Sequence, residues 1–460
     1  MKSIQSISLL ALLLLAGCTL GPNYKRPKVD TPSIYRADQG AAGSSLGNEK
    51  WWAVFDDPQL QELLRTAIRD NYDVRIAATR VLRAQALLGI TRADQLPAIN
   101  GGVTGLNERA PRQLNGQEVN TGLIQVNLAL FWELDFWGKF RRATEAARAD
   151  LLASEWGQRA VISSLVSNVA SAYFQLRELD LELEIARQTL STRQESLRLV
   201  KVRQQGGVTS MMDVRQSEQL VYGAAAAIPD LERRIEQQEN FISILLGRNP
   251  GPIPRGRPLI ANPIAPTVPA GLPSQLLERR PDIRSAEESL VAANARIGVA
   301  KAAWFPSIAL TGAGGYQSSA LTALFAAPAG FWSAGAQAIQ SVFSGGRIRS
   351  NVKLSEAQQQ EFALRYQQTI QQAFREVADS LIAYTKEQEF RQQQELLTAS
   401  AADAVQLSDA RYRGGAASYL EVLDSDTRYF DARITLAQAE LAERLALVQL
   451  YNALGGGWEQ

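Results

Sequence analysis

Apolar residues recur along this chain in two rhythms, one helical and one extended. Ile162, Leu165, Val169, Ala172, Leu176, Leu179, Leu183, Ala186 and Leu190 follow one another in steps of 3 and 4. A sustained seven-residue period of this kind predicts a helix that supercoils left-handedly against partner helices. No proline interrupts the chain from 140 to 204, and glycine occurs there only at Gly157. Some 65 residues at about 1.5 Å each make a rod on the order of 100 Å long. A looser version of the seam returns at Ile370, Phe374, Val377, Leu381 and Tyr384. Shorter return helices carry it at Leu231, Ile235, Ile242 and Leu245, and at Ile434, Ala437, Leu441, Leu445 and Val448. Pro229 inside the first return helix predicts a kink, which Ala437 at the matching place does not.

The second rhythm has a period of two. Ile124, Val126, Leu128, Leu130 and Trp132 alternate with polar Gln125 and Asn127. Strands are expected at 98–109, 121–134, 307–318 and 331–343, in two pairs around the loops APRQLNGQEVN and SALTALFAAPAG. Strands of this length with aromatics near their ends fit a membrane barrel, apolar outward and polar inward. The same alternation fits a half-buried soluble hairpin.

Both rhythms occur twice because the chain is duplicated. At an offset of 209, Asp73–Pro97 lies on Asp282–Pro306 with Asp73/Asp282, Arg75/Arg284, Ala84/Ala293 and Pro97/Pro306 identical. At an offset of 208, VRQQGGVTSMMDVRQSE falls on the segment containing RYRGGAASYLEVLDSD, so Gly206 and Gly207 meet Gly414 and Gly415. Glycine reaches positive φ without steric cost and ends helices, so both pairs suit hairpin tips. Between the halves, Asn249–Pro273 holds eight of the chain's 18 prolines and reads as an extended strap. The expected organisation is a signal peptide at 1–17, an extended N-terminal segment at 18–50, repeats at 51–248 and 274–460, and the strap at 249–273.

Composition removes several function classes. Histidine is absent, which takes away the commonest general base and metal ligand. With no clustered nucleophile either, no catalytic residue, metal site or cofactor is expected. A net charge of +1 gives no reason to expect a nucleic-acid partner. The one cysteine, Cys18, follows a short apolar run and closes the tetrad Leu-Ala-Gly-Cys. That tetrad resembles a bacterial lipobox, in which the cysteine becomes lipidated; an ordinary signal peptide with an incidental cysteine is the alternative. Beyond Cys18 no apolar run is long enough for a transmembrane helix, so a mature chain that crosses a membrane does so as strands.

Four strands cannot close a barrel, since the smallest have about eight. An open sheet edge in lipid leaves N–H and C=O groups unpaired at several kcal/mol each. Transmembrane hairpins here therefore require several protomers to pool them. The fold class expected is mixed α and β but mostly α: long coiled-coil helices walling an α-barrel, a four-strand contribution to a shared transmembrane β-barrel, and internal duplication.

The lipobox followed by GPNYKRP, then WWAVFDDPQLQELL, WELDFWGKFRR, LPSQLLERRPDIRSAE, RYRGGAASYLEVLD and the terminal ALGGGW, resemble the outer membrane factor (TolC/OprM-like) family across the mature chain. The resemblance implies a homotrimeric outer-membrane lipoprotein with a long periplasmic extension. It would serve as the passive exit duct of a tripartite efflux pump for drugs or other small toxic compounds. The implied partners are a periplasmic adaptor (membrane fusion) protein, an inner-membrane resistance-nodulation-division (RND) transporter and outer-membrane lipid. Matching the family's motif places an iris-like periplasmic gate at Leu420 and Asp424, four apart and so on one helix face. The plainer reading makes Leu420 a seam residue and Asp424 a solvated one. An arginine expected one turn beyond Asp424 is Thr427 here, with Arg411 and Arg413 as candidates to replace it. The tips at Gly206, Gly207, Gly414 and Gly415 are expected to meet the adaptor. Rival readings are a lipid-anchored periplasmic coiled-coil scaffold without a pore and, within the channel class, a metal-ion or polypeptide export duct.

Overall fold

A computed structural model describes residues 19–36, 45–110, 119–261 and 268–458. The signal peptide, Cys18 and most of the APRQLNGQEVN loop lie outside the described residues. Helices and strands follow one another twice in the same order. In the first half α1 (Trp51–Val54), α2 (Pro58–Asp70) and α3 (Tyr72–Ala93) lead into β1 (Ala98–Ala110) and β2 (Val119–Leu134), then α4 (Lys139–Gln205) and α5 (Met211–Leu245). In the second, α6 (Pro273–Arg279) and α7 (Pro281–Ala302) lead into β3 (Ser307–Ser318) and β4 (Gly330–Ile339), then α8 (Arg347–Arg413) and α9 (Tyr419–Ala453). The duplication survives in element lengths: α3 and α7 have 22 residues each, α4 and α8 have 67, and α5 and α9 have 35. No helix among the described residues is long and apolar enough to cross a membrane.

The chain forms two compact units that do not coincide with the repeats. One comprises Arg80–Glu155 and Ser285–Gln367 with the N-terminal segment through Lys28; the other comprises Val29–Thr79, Trp156–Arg284 and Gln368–Gln460. Each unit therefore draws matching pieces from both halves.

The first unit holds a four-stranded antiparallel sheet in the order β1-β2-β3-β4. Its central pair, β2 with β3, joins the two repeats, with Phe131 opposite Thr311 and Asn127 opposite Gly315. The sequence pattern carries the fourth strand to Phe343, but it ends at Ile339. The reason is register: Ile339 faces Ser307, the first residue of β3, and beyond it no neighbour remains to accept a ladder bond.

The second unit is built on the heptad seam of α4. All nine seam positions are covered except Leu183 and Leu190, which are half-buried. Burial is wider than the seam alone, because Val166, Ala170, Tyr173 and Phe174 are also inside, against residues of α2, α5 and α9. Helix α5 continues across Pro229 and buries Leu231, Ile235 and Ile242 beyond it. Two motifs of the sequence prove to be anchors. Asp57 of WWAVFDDP caps α2 through the amides of Gln59 and Leu60, and its other oxygen accepts from the Tyr173 hydroxyl at 3.0 Å and the Arg257 amide at 3.1 Å. That carboxylate thereby holds the proline-rich strap down. Arg280 of ERRPD donates to the Ala453 carbonyl at 3.1 Å and pairs with Glu376 at 2.7 Å, tying α6 to the end of α9. The terminal glycines close α9, with Gly455 at φ 82°.

Candidate functional site

Residues directly opposite in an antiparallel pair point to the same side of a sheet, so the register fixes both faces across the four strands. On one face lie Ile99 and Val103 of β1, Val126, Leu128 and Leu130 of β2, Leu310 and Tyr316 of β3, and Trp332, Ala334 and Ala336 of β4. On the other lie Asn100, Thr104, Gln125, Asn127, Thr311, Gln317, Ser333 and Gln337. The apolar face is bare in a single chain: Val103 is 77% exposed and Trp332 83%. Such a face has a lasting place only against an apolar medium. Both outer strands, β1 and β4, present an edge to which no described strand of the chain is paired.

One end of the sheet is rich in aromatic side chains. Trp132 donates its indole N–H to Gln95 O at 3.0 Å, Trp137 donates to Pro306 O at 2.8 Å, and Trp137 stacks on Phe305 with centroids 4.7 Å apart. Indoles with one satisfied donor and an apolar body suit a membrane–water boundary. The N-terminal segment is clasped at the same end. Leu20 donates to Trp137 O at 3.3 Å, Arg142 donates to Leu20 O at 3.0 Å and Asn23 Oδ1 at 2.7 Å, and Asn294 donates to Pro22 O at 2.8 Å. Arg26 clamps Glu287 through two nitrogens at 2.6 and 2.7 Å. Gly138 is required there, since a Cβ on it would stand 2.9 Å from Thr19 Cα. The residue immediately after Cys18 is thus fixed beside the aromatic end of the sheet.

In the second unit the two tips share one construction. Gly207 and Gly415 sit at φ 73° and 75°, in the left-handed region. Val208 donates to Arg203 O and Ala416 to Arg411 O, both at 2.9 Å, closing the six-residue turn that ends a helix at such a glycine. Gly206 and Gly414, the residues before them, are exposed as well. The tips differ in how the next helix begins. Ser210 and Asp213 form a reciprocal capping box at the start of α5, whereas Ser418 makes no side-chain cap at the start of α9.

Leu420 and Asp424 lie one turn apart on the exposed face of α9, with Leu420 63% exposed. The partner of Asp424 is Arg428, whose Nε reaches Oδ2 at 2.8 Å. Within one chain Arg411 stands 3.7 Å from Glu421, and Arg413 pairs with Asp409 at 2.8 Å. Thr427 donates its hydroxyl to Leu423 O at 2.8 Å. The four-residue spacing of Asp424 and Arg428 is the signal of this pair in the sequence.

Two further polar groups give no such signal in the sequence. Arg193 of α4 is buried and pairs with Asp426 of α9 at 2.7 Å, donates to Leu220 O at 3.2 Å and lies over the Phe430 ring. Glu178 and Glu182, one turn apart on α4, are also buried. Burial and the hydrogen bond and charge of Glu182 push the Glu178 carboxyl up to about 8. Glu182 meanwhile accepts from Gln438 at 2.9 Å and Arg234 at 3.3 Å.

Four antiparallel strands with an apolar and a polar face, together with duplicated long helical hairpins, are the pattern of an outer-membrane channel subunit. The sequence model of the family described as outer membrane efflux protein matches residues 63–248 and again 272–456, and the chain belongs to that family. It is 38% identical over 466 residues to the toluene efflux pump outer membrane protein TtgI of Pseudomonas putida, covering 99% of this chain and 98% of that one. It is 36% identical over 452 residues to the cation efflux system protein CusC of Escherichia coli, covering 97% of each. The crystal structure of the open state of the MtrE outer membrane channel of Neisseria gonorrhoeae superposes with a TM-score of 0.89 at 31% identity, over 96% of this chain and 99% of that one.

Proposed function

We propose that this outer-membrane efflux channel protein works as a homotrimer, the passive exit duct of a tripartite pump, anchored by lipid at Cys18 and closed at its periplasmic mouth by Leu420 and Asp424. The observation that carries the reading is the sheet register. Four strands with one face apolar over most of its length and two open edges are stable in lipid only when edges of other copies complete the barrel. Three copies supply enough strands, and the polar face then lines an aqueous path.

In the helical unit, three copies of the α9 face would form two rings, one of Leu420 and one of Asp424. Carboxylates facing one another across a narrow mouth repel, and Arg428 offsets part of that charge. An acidic ring of this kind favours cations over anions. The tips at Gly206–Gly207 and Gly414–Gly415 are exposed turns of fixed shape, suited to a periplasmic adaptor that links the duct to an RND transporter. The cargo class proposed is drugs and other small toxic compounds, since a duct lined by polar side chains selects weakly. Export of metal ions is the second reading, favoured by the similarity to a cation efflux protein.

Planar-bilayer conductance of the purified protein and of Asp424→Ala tests this. Conductance in both, higher in the variant, is expected. Its absence in both overturns the channel, and equal conductance overturns the gate residue.

A further inference from the structure

We infer that the helical unit holds a binding site for an amphiphilic organic cation, in the space between the ends of its two hairpins. A cavity of about 490 Å³ opens there between α4, α5, α8 and α9. That volume falls within the range of small-molecule pockets, roughly 300–1,000 Å³. Its apolar wall is made by Leu199, Leu220, Val405, Val422 and Leu423, with the ring of Tyr419 beside them. The Tyr419 ring packs beside Tyr412, with centroids 5.1 Å apart.

Charge decides the class of ligand. Three carboxylates line the space, Glu195, Asp409 and Asp426, against two guanidinium groups, Arg193 and Arg413. Arg193 is already satisfied: it is buried, paired with Asp426 at 2.7 Å and donating to the Leu220 carbonyl. An incoming anion therefore finds no unmatched cation in Arg193. Asp409 is matched within the lining by Arg413, whereas Glu195 pairs with Arg198, which does not line the space, so the lining itself carries one net negative charge. Exposed pairs of this kind hold weakly and exchange with other cations. A monovalent cation with an aromatic or branched alkyl body fits both the acidic rim and the apolar wall. The residues of α9 that line the cavity, Tyr419, Val422, Leu423 and Asp426, lie on the covered side of that helix, whereas Leu420 and Asp424 are on its exposed side. The site is therefore separate from the proposed mouth and does not depend on that assignment.

Isothermal titration of the detergent-solubilised full chain with tetraphenylphosphonium tests the inference, with neutral triphenylphosphine oxide as the comparison. Saturable binding of one phosphonium per chain is expected, at least tenfold tighter than the neutral compound. Leu199→Trp, which fills the cavity, should abolish it, and Asp409→Asn should weaken it about tenfold, while circular dichroism shows the helices intact. Asp424→Ala should leave the binding unchanged. No saturable binding to the natural chain overturns the inference. So does binding that survives Leu199→Trp, that favours the neutral compound equally, or that Asp424→Ala removes.

Discussion

Replacing Asp426 by alanine strands a cation inside the helical unit. The Arg193 side chain is 7% exposed and that of Asp426 is 18% exposed, with 2.7 Å between them. Truncating one member of a buried ion pair costs about 3–5 kcal/mol, mostly because the other charge is left uncompensated. Here the low end applies, since Asp426 keeps some access to water and Arg193 retains the Leu220 carbonyl and the Phe430 ring. A loss of about 3 kcal/mol in the local stability of the α4–α9 contact raises the population of the opened contact on the order of a hundredfold. Hydrogen–deuterium exchange of the full chain reads this directly, as faster exchange of the amides from Val422 to Phe430. Arg193→Met alone leaves a partly solvated aspartate and should accelerate exchange less. The double variant should approach the arginine variant, giving a coupling of about 3 kcal/mol. Acceleration below about threefold in Asp426→Ala, or strict additivity of the two changes, would refute the claim that this pair holds the hairpins together.

The raised carboxyl of Glu178 predicts a pH dependence of opposite sign to that of a salt-bridged carboxylate. Its native value, pushed up to about 8, lies above the ordinary glutamate value of 4.5, so between these limits the folded chain binds a proton that the unfolded chain has lost. Stability from this group is full below pH 4.5 and falls as pH rises through about 8; Glu178→Gln should flatten the melting temperature across that window, and an unchanged slope would refute it. The two faces of β1 give a second test, because Val103 and Thr104 are neighbours on opposite sides. Val103→Lys should cost about 2–4 kcal/mol of barrel stability and reduce recovery of folded protein from membranes, while Thr104→Lys costs about 1 kcal/mol or less. Equal effects would mean the faces are assigned wrongly. Cys18→Ser should abolish incorporation of labelled fatty acid, and persistence of label would disprove the lipobox.

Much of this architecture was legible because its signals are periodic and long. Nine seam positions in register leave little room for any reading of α4 but a packed helix, and the double glycines mark tips because positive φ is rare for other residues. Strand ends were less legible: β4 stops at Ile339 because β3 starts at Ser307, a fact of pairing that no property of Ser341, Val342 or Phe343 announces. Polar groups inside the helical unit were the real omission. Glu178 and Glu182 fall between seam positions and read as solvated, yet neighbouring helices cover α4 well beyond its two-position stripe. Arg193 gives no local signal either, since its partner lies 233 residues away. Asp424 with Arg428 is legible in the sequence, being four residues apart on one helix.

Duplication also explains where the halves were free to diverge. The features they share are those the backbone demands, above all the left-handed glycine at each tip and the equal lengths of the paired helices. One difference lies on the exposed face just past each tip. Met212 and Gln216 occupy the places that Leu420 and Asp424 hold in the second half, and Met212 and Leu420 are both exposed. The first hairpin puts its acid, Asp213, into a capping box, which ties that carboxylate to the backbone and removes it from any ring. The second hairpin has Glu421 at the matching place, with no side-chain cap from Ser418, and adds a further acid, Asp424, which pairs with Arg428. A carboxylate used for capping stabilises a helix end, whereas one held by a single exposed arginine stays available to another copy of the chain. Two hairpins of equal geometry thus carry acids with different work, and only the second can present an acidic ring at that level.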